Sequence, residues 1–309
     1  MSKWDRENTI FITANQSYLF DGLKSEGCKV YHPYKGNSFF LRIIREIFFR
    51  VPFLSKALWF NKKILVSKKV KYIVIYDALI TLRFLEWINH CFPEAQINFK
   101  YSNLVGKAKH LMPDSIPKNI RIWTYDLNDA IKYGILYNNS YCYFSSFVKQ
   151  SGDIEYDVFY VGRDKGRGDY LIKLRDQLNE MGLNTKFIIT KNGKFSHKKS
   201  YYNKEITYEE VTKYISRSKS VLNIVLEGQE GVTMRDLESL FFKKKLITNN
   251  ESLKTKEFFN DKNIFILKEN NLLELVDFLK EPYNDLPNEL LQKYTFDNAI
   301  DLITNDSMK

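Results

Sequence analysis

The stretch "DVFYVGRDKGRGDYLIKLRDQLNEMG", Asp157 to Gly182, followed at once by "TKFIIT", Thr185 to Thr190, sets the fold class. A short apolar run ends at Val161, a glycine-bearing basic loop follows, and the next residues return to helical spacing before a second short apolar run begins. Such an alternation marks a βα unit rather than a sandwich or a bundle. The pattern continues downstream with a helix in "YEEVTKYISRS", a strand in "VLNIVL" (Val221 to Leu226), a helix in "MRDLESLFF" and a strand in "KLITN".

The same rhythm runs through the first half of the chain. Strands are expected at "TIFITA", "KVYHPY", "KYIVIYDA", "AQINFKYS" and "RIWTYD", with helices between them such as "QSYLFDGLKSEG", which Gly27 can close. The polar stretch "KQSGDIEY" separates the halves. The expectation is therefore α/β, with two doubly wound Rossmann-like domains facing a central cleft, 1–148 and 149–285, and a closing helical segment 286–309, with Pro282 and Pro287 as breaks in the C-terminal stretch. A chain of 309 residues, 44% hydrophobic, is long enough for two such cores.

The net charge of +10 favours an anionic partner: nucleic acid, a phosphorylated small molecule or an anionic membrane surface. Three scattered cysteines and no C-x-x-C pair argue against a disulfide framework or a zinc site, and fit a reducing cytoplasm. No apolar run reaches the roughly 18 residues of a membrane span, and the N-terminus lacks the apolar stretch of a signal peptide.

Two places can carry chemistry. In the loop after Val161, Gly162 allows a close turn while Arg163, Lys165 and Arg167 gather before a helix whose free N–H groups favour anions, so the loop is a candidate diphosphate cradle; the alternative is a basic surface turn. The second place is "EGQEGVTMRDLE", Glu227 to Glu238, which crosses from an apolar strand into a helix. Glu230 and Gly231 fall in the turn, and Glu238 lies further along the helix with a side chain long enough to return toward it. A carboxylate there can accept two sugar hydroxyls. Equally, Glu230 can complement the helix dipole and Glu238 can be solvated, with Arg235 bridging to one of them.

The E-x7-E spacing of Glu230 and Glu238 resembles that of the GT-B glycosyltransferases, and "VGRDKGRGDYLIKL" resembles the opening of their donor domain. "QEGVTMRDLESLFFKKKLITNN" and "IWTYDLNDAIKYGILYNNSYCYF" look like bacterial enzymes that build capsular polysaccharide and lipopolysaccharide. The resemblance implies that Arg163, with Arg167 or Lys165, holds the diphosphate of a nucleotide-sugar donor. It also implies that Glu230 faces the sugar, Glu238 holds the ribose, and the backbone at Gly231 and Val232 approaches the donor, with Gly162, Thr233 and Arg235 also among the donor-binding residues. Catalysis would rest on Glu230 and Arg163. Gly-Val-Thr replaces the family's more usual Gly-Phe-Gly, and Glu227 rivals Glu230.

The activity so implied is hexosyl transfer to a glycan or lipid-linked glycan, with retention of configuration. No Asp-x-Asp pair calls for a metal, and the basic loop would take its place; no cofactor is expected. The segment 38–69, rich in aromatic and basic residues, is expected to form a helix pair on an anionic membrane or to pack into the core. A catalytically silent nucleotide-sugar-binding subunit is the nearer rival. Nucleic-acid binding is the remoter one, because the aromatics follow strand and helix patterns rather than a stacking array.

Overall fold

The structure, a computed structural model, describes residues 4–14, 18–36, 39–51, 55–67, 69–139, 153–193 and 199–305. The chain divides into two compact units, Met1–Asn139 with Asp297–Lys309, and Ser140–Phe296. The expected boundary thus moves to 139/140, and most of its surrounding stretch, 140–152, lies outside the described residues.

The first unit holds a six-stranded parallel sheet in the order β2-β1-β3-β4-β5-β6. Its strands are β1 (Thr9–Ile12), β2 (Lys29–Tyr31), β3 (Tyr72–Tyr76), β4 (Gln96–Lys100), β5 (Arg121–Thr124) and β6 (Leu136–Tyr137). One face of the sheet, carrying Ile10, Ile73, Ile75, Ile97 and Phe99, packs on Phe84, Leu85 and Ile88 of α3 (Leu82–Cys91) and on Tyr34 and Phe60. The first helix is α1 (Tyr18–Ser25), and Gly27 follows it at φ 74°, as its position in the sequence suggests.

Where a helix pair was expected over 38–69, the described residues form one helix, α2 (Phe39–Arg50), and two 3-10 turns, Lys56–Trp59 and Lys62–Val66. Asn61 starts the second turn by accepting the Lys63 N–H. Asp126 caps α4 (Leu127–Tyr133) by accepting the Asp129 N–H at 3.0 Å, so its carboxylate is spent on the helix terminus.

The chain returns to this unit at its last helix, α10 (Phe296–Thr304). Trp4 Nε1 and Arg6 donate to Asp297 at 2.8 and 2.9 Å, Asn138 donates to the Ala299 carbonyl, and Gln96 donates to that of Ile303. The segment 286–309 is therefore not one closing element: its last part completes the first unit.

The second unit contains a five-stranded parallel sheet, order β11-β10-β9-β7-β8. These are β7 (Tyr156–Arg163), β8 (Thr185–Thr190), β9 (Ser218–Asn223), β10 (Lys245–Thr248) and β11 (Ile264–Ile266). Alternate residues of β7 serve opposite cores. Val158 and Tyr160 meet Leu171, Leu174 and Leu178 of α5 (Gly168–Glu180), while Phe159 meets Val211 and Ile215 of α6 (Tyr208–Ser216). That double burial explains why the strand reads as a continuous apolar run. After β9 comes α7 (Met234–Phe241), and α8 (Leu275–Lys280) and α9 (Asn288–Gln292) complete the unit.

One buried charge sets a pH dependence. Lys100, at the end of β4, is 4% exposed and donates to Asn138 Oδ1 at 2.6 Å. Burial lowers its ammonium pKa to about 7. The unfolded chain then holds more protons than the folded one between about pH 7 and the ordinary lysine value, so stability rises with pH across that window and is flat below it. Urea melts of the first unit's signals should strengthen from pH 7 to 9.5, by up to about 1.4 kcal/mol per pH unit, and Lys100→Met should flatten the rise.

Candidate functional site

Because all five strands of the second sheet run parallel, β7 and β9 leave on the same edge, with the starts of α5 and α7 beside them. Most of the candidate donor residues gather there. Gly162 and Arg163 end β7, and Glu230 to Thr233 lead into α7.

The loop from Arg163 to Gly168 is organised by a residue that the sequence reading passed over. Asp164 is buried and accepts the N–H groups of Gly166 and Gly168 at 2.9 and 2.8 Å, together with the hydroxyls of Tyr202 at 2.5 Å and Tyr201 at 3.2 Å. Burial works to raise its pKa, but the hydrogen bonds from Tyr202, Gly168, Tyr201 and Gly166 outweigh it and hold the carboxyl below its ordinary value. The amides expected to face an external anion thus face this internal one. A Cβ at Gly168 would stand 2.6 Å from Asp164 Oδ2, which is why a glycine opens the helix. The signal was present in "GRDKG", an aspartate two residues before a glycine in a turn.

The three basic residues of the loop go different ways. Arg163 is exposed and pairs with Glu205 at 3.5 Å, a separation and exposure typical of a weak surface ion pair. Lys165 takes up φ 48°, and its N–H is held by Asn192 Oδ1 at 2.6 Å. Arg167 alone turns inward across the sheet edge, where its guanidinium donates to the Ile224 carbonyl beyond β9; its buried Nε has no hydrogen-bond partner among the described residues.

Arg167 meets Tyr160 above Gly162. The position a Cβ would take on Gly162 lies 2.7 Å from Tyr160 Oη and 3.7 Å from Arg167 Nη2. Burial raises the Tyr160 pKa, and the charges of Arg167 and Arg235 both oppose that shift. Gly162 is small because the protein's own side chains fold over it.

On the α7 side, Thr233 is the N-cap. Its hydroxyl accepts the Asp236 N–H while Asp236 Oδ2 accepts the Thr233 N–H at 2.7 Å, a reciprocal capping box. Asn223, ending β9, donates to Asp236 at 2.6 Å and to Thr233 Oγ1 at 3.0 Å. Burial raises the Asp236 pKa to about 6, against the hydrogen bonds that favour the carboxylate. Gly231 and Val232 are buried, whereas Glu230 is exposed and its carbonyl accepts the Ser252 hydroxyl at 2.5 Å.

Glu238 departs from the solvated alternative. It is not solvated: it is 2% exposed, accepts the Tyr208 hydroxyl at 3.0 Å and pairs with Arg235. Burial raises its pKa, opposed by Arg235 and Tyr208. The Arg235 bridge weighed in the sequence is present, and it acts inside the protein. Among the described residues no three His, Cys, Asp or Glu side chains gather as metal ligands.

No protein-family model matches the sequence, and no curated protein does. Among solved structures, a sucrose-phosphate synthase from Thermosynechococcus elongatus superposes with a TM-score of 0.51 at 10% identity, over 96% of this chain and 96% of that one. A Listeria monocytogenes protein assigned as a UDP-N-acetylglucosamine 2-epimerase gives 0.51 at 8% identity, over 97% and 94%. The chain therefore has the two-sheet α/β fold expected of the GT-B type. A transferase and an epimerase share it, so the fold by itself does not choose a reaction.

The packing above Gly162 can be tested directly. Gly162→Ala should destabilise the second unit by about 1–3 kcal/mol, because the new methyl meets the Tyr160 hydroxyl. In a double-mutant cycle followed by denaturant melts, Tyr160→Phe should recover most of that loss; simple additivity would show that the two residues do not compete for the space.

Proposed function

We propose that this chain is a glycosyltransferase that moves a sugar from a nucleotide-sugar donor to a glycan or lipid-linked glycan acceptor. The observation that carries the reading is Arg167, whose guanidinium lies across the carboxyl edge of the second sheet, donating to the Ile224 carbonyl beside Gly162 and Tyr160. Ligands of such sheets bind beyond that edge, and a diphosphate placed there meets fixed positive charge.

In this reading Arg167 is the main diphosphate ligand and Arg163 a peripheral one, because Arg163 is exposed and already engaged with Glu205. Glu230, exposed before the capped start of α7, is the candidate contact for the sugar hydroxyls. Glu238 is a positioning residue that holds Arg235. The guanidiniums supply the charge that stabilises a departing diphosphate, so transfer is proposed to proceed without a metal. Retention of configuration and a role in bacterial surface polysaccharide, capsule or lipopolysaccharide, belong to the same proposal and rest on the motif resemblance around Glu230.

The acceptor side is proposed to work at the inner face of a membrane, where a lipid-linked glycan resides. The basic and apolar segment 38–69 supports this, and no helix among the described residues is long and apolar enough to cross a bilayer.

Titration calorimetry with uridine and adenosine diphosphates, then with the matching nucleotide sugars, tests the donor site. Arg167→Ala should weaken diphosphate binding about 10- to 100-fold, the range of a charge-assisted hydrogen bond, and Arg163→Ala much less. Glu230→Gln should leave diphosphate affinity unchanged and lower kcat. No diphosphate binding by the folded protein would remove the glycosyltransferase reading.

A further inference from the structure

Helix α2 in the first unit is built inside out. Phe40, Ile43, Ile44 and Ile47 fall at i, i+3, i+4 and i+7, the spacing of a buried stripe, yet they are 76, 40, 48 and 59% exposed. The inward face carries Arg45, which is buried with its guanidinium carbon 4.3 Å from the centre of the Tyr34 ring, and Phe49, packed on the core. A surface helix in water ordinarily does the reverse. The sequence places one acid, Glu46, in residues 39–69 against eight Lys and Arg.

Beside the stripe lies a cavity of about 320 Å³, lined by Gly36, Leu41, Phe48, Leu58 and Trp59, with Lys35 at its edge. Phe48 and Trp59 form one wall edge to face at 5.8 Å. Gly36, at φ 62°, lets Leu41 press against its backbone. The Lys35 ammonium donates to the Leu58 carbonyl at 3.0 Å, which keeps it at the rim, and Leu58 itself is 62% exposed. The walls are hydrocarbon and aromatic; the surroundings are cationic.

We propose that this cavity holds one hydrocarbon chain of an anionic membrane phospholipid, with α2 lying along the bilayer by its Phe40–Ile47 stripe and Lys35 at the lipid phosphate. The inference rests on the membrane-acceptor reading above and adds a defined lipid site to it. Charge selects this occupant over a second copy of the chain, since two such faces would bring like charges together, whereas an anionic leaflet attracts them.

The test uses the whole protein and Trp59 as a reporter. Vesicles of phosphatidylglycerol with brominated chains should quench emission that is present in the wild type and absent from Trp59→Phe, while phosphatidylcholine vesicles should not. Octyl phosphate, kept below its micelle concentration, should bind one to one, about fourfold more weakly for each methylene removed, and inorganic phosphate should give no Trp59 signal. Ile47→Asp, at an exposed position, should lose vesicle binding and keep nucleoside-diphosphate binding. Vesicle binding without quenching at Trp59, or octyl phosphate binding that ignores chain length, would overturn the chain site while leaving membrane attachment standing. A dimer that Ile47→Asp dissociates, with no vesicle binding, would overturn both. Neither result bears on the donor site, which diphosphate binding reports separately.

Discussion

A parallel sheet sends all its strands out on one edge and brings its helices in there, so unsatisfied amides and positive dipole ends accumulate on one side of the second unit. The protein answers that accumulation twice with its own carboxylates. Asp164 takes the Gly166 and Gly168 amides at the start of α5, and Asp236 closes the capping box at the start of α7. With the loop amides so occupied, positive charge at the edge is supplied by side chains. Arg167, drawn to the Ile224 carbonyl, and Arg235, held by buried Glu238, are fixed by contacts made before any ligand arrives. Such fixed charge is what the proposed diphosphate site would use without reorganisation.

The buried acids differ in what they do for this edge. Asp164 stays ionised because four donors converge on it, and Asp236 carries a carboxyl whose pKa burial has pushed to about 6 although it, too, is hydrogen-bonded. Glu238 sits between an arginine and a tyrosine and could lose neither without leaving a buried charge or hydroxyl exposed to an apolar surround. The two glutamates of the E-x7-E spacing are thus unlike in environment: one exposed ahead of a helix, the other interior to it.

The strands that organise the second unit were legible because burial on both faces leaves a plain apolar run, as in "DVFYVG", and helical spacing exposed α5, α6 and α7. The register of β9 was not. Its apolar letters begin at Val221, but the strand starts at Ser218, because a buried serine can satisfy itself on the backbone: Ser220 Oγ donates to the Asp157 carbonyl at 2.6 Å and Ser218 Oγ to that of Tyr214 at 2.7 Å. β6 and β11 are too short for any period to appear. Within the site, composition brought Arg163, Lys165 and Arg167 to notice together, but only the fold distinguishes the inward one. Arg45 escaped for the same reason, since a basic letter on an amphipathic helix reads as outward, and its burial depends on the Tyr34 ring beneath it.

The return of α10 gives the chain an order of events. The second unit is an uninterrupted insertion, 140–296, within a first unit whose remaining helix is encoded after it. During vectorial synthesis, at about 5–20 residues per second, the inserted unit leaves the ribosome whole while its host still lacks the contacts of Asp297, Ala299 and Ile303. The host unit must therefore wait, with Trp4, Asn138 and Gln96 lacking these partners, until translation has passed the entire second unit. Maturation of the first unit is in this way made subordinate to completion of its neighbour, a dependence imposed by chain topology and not by any bound molecule.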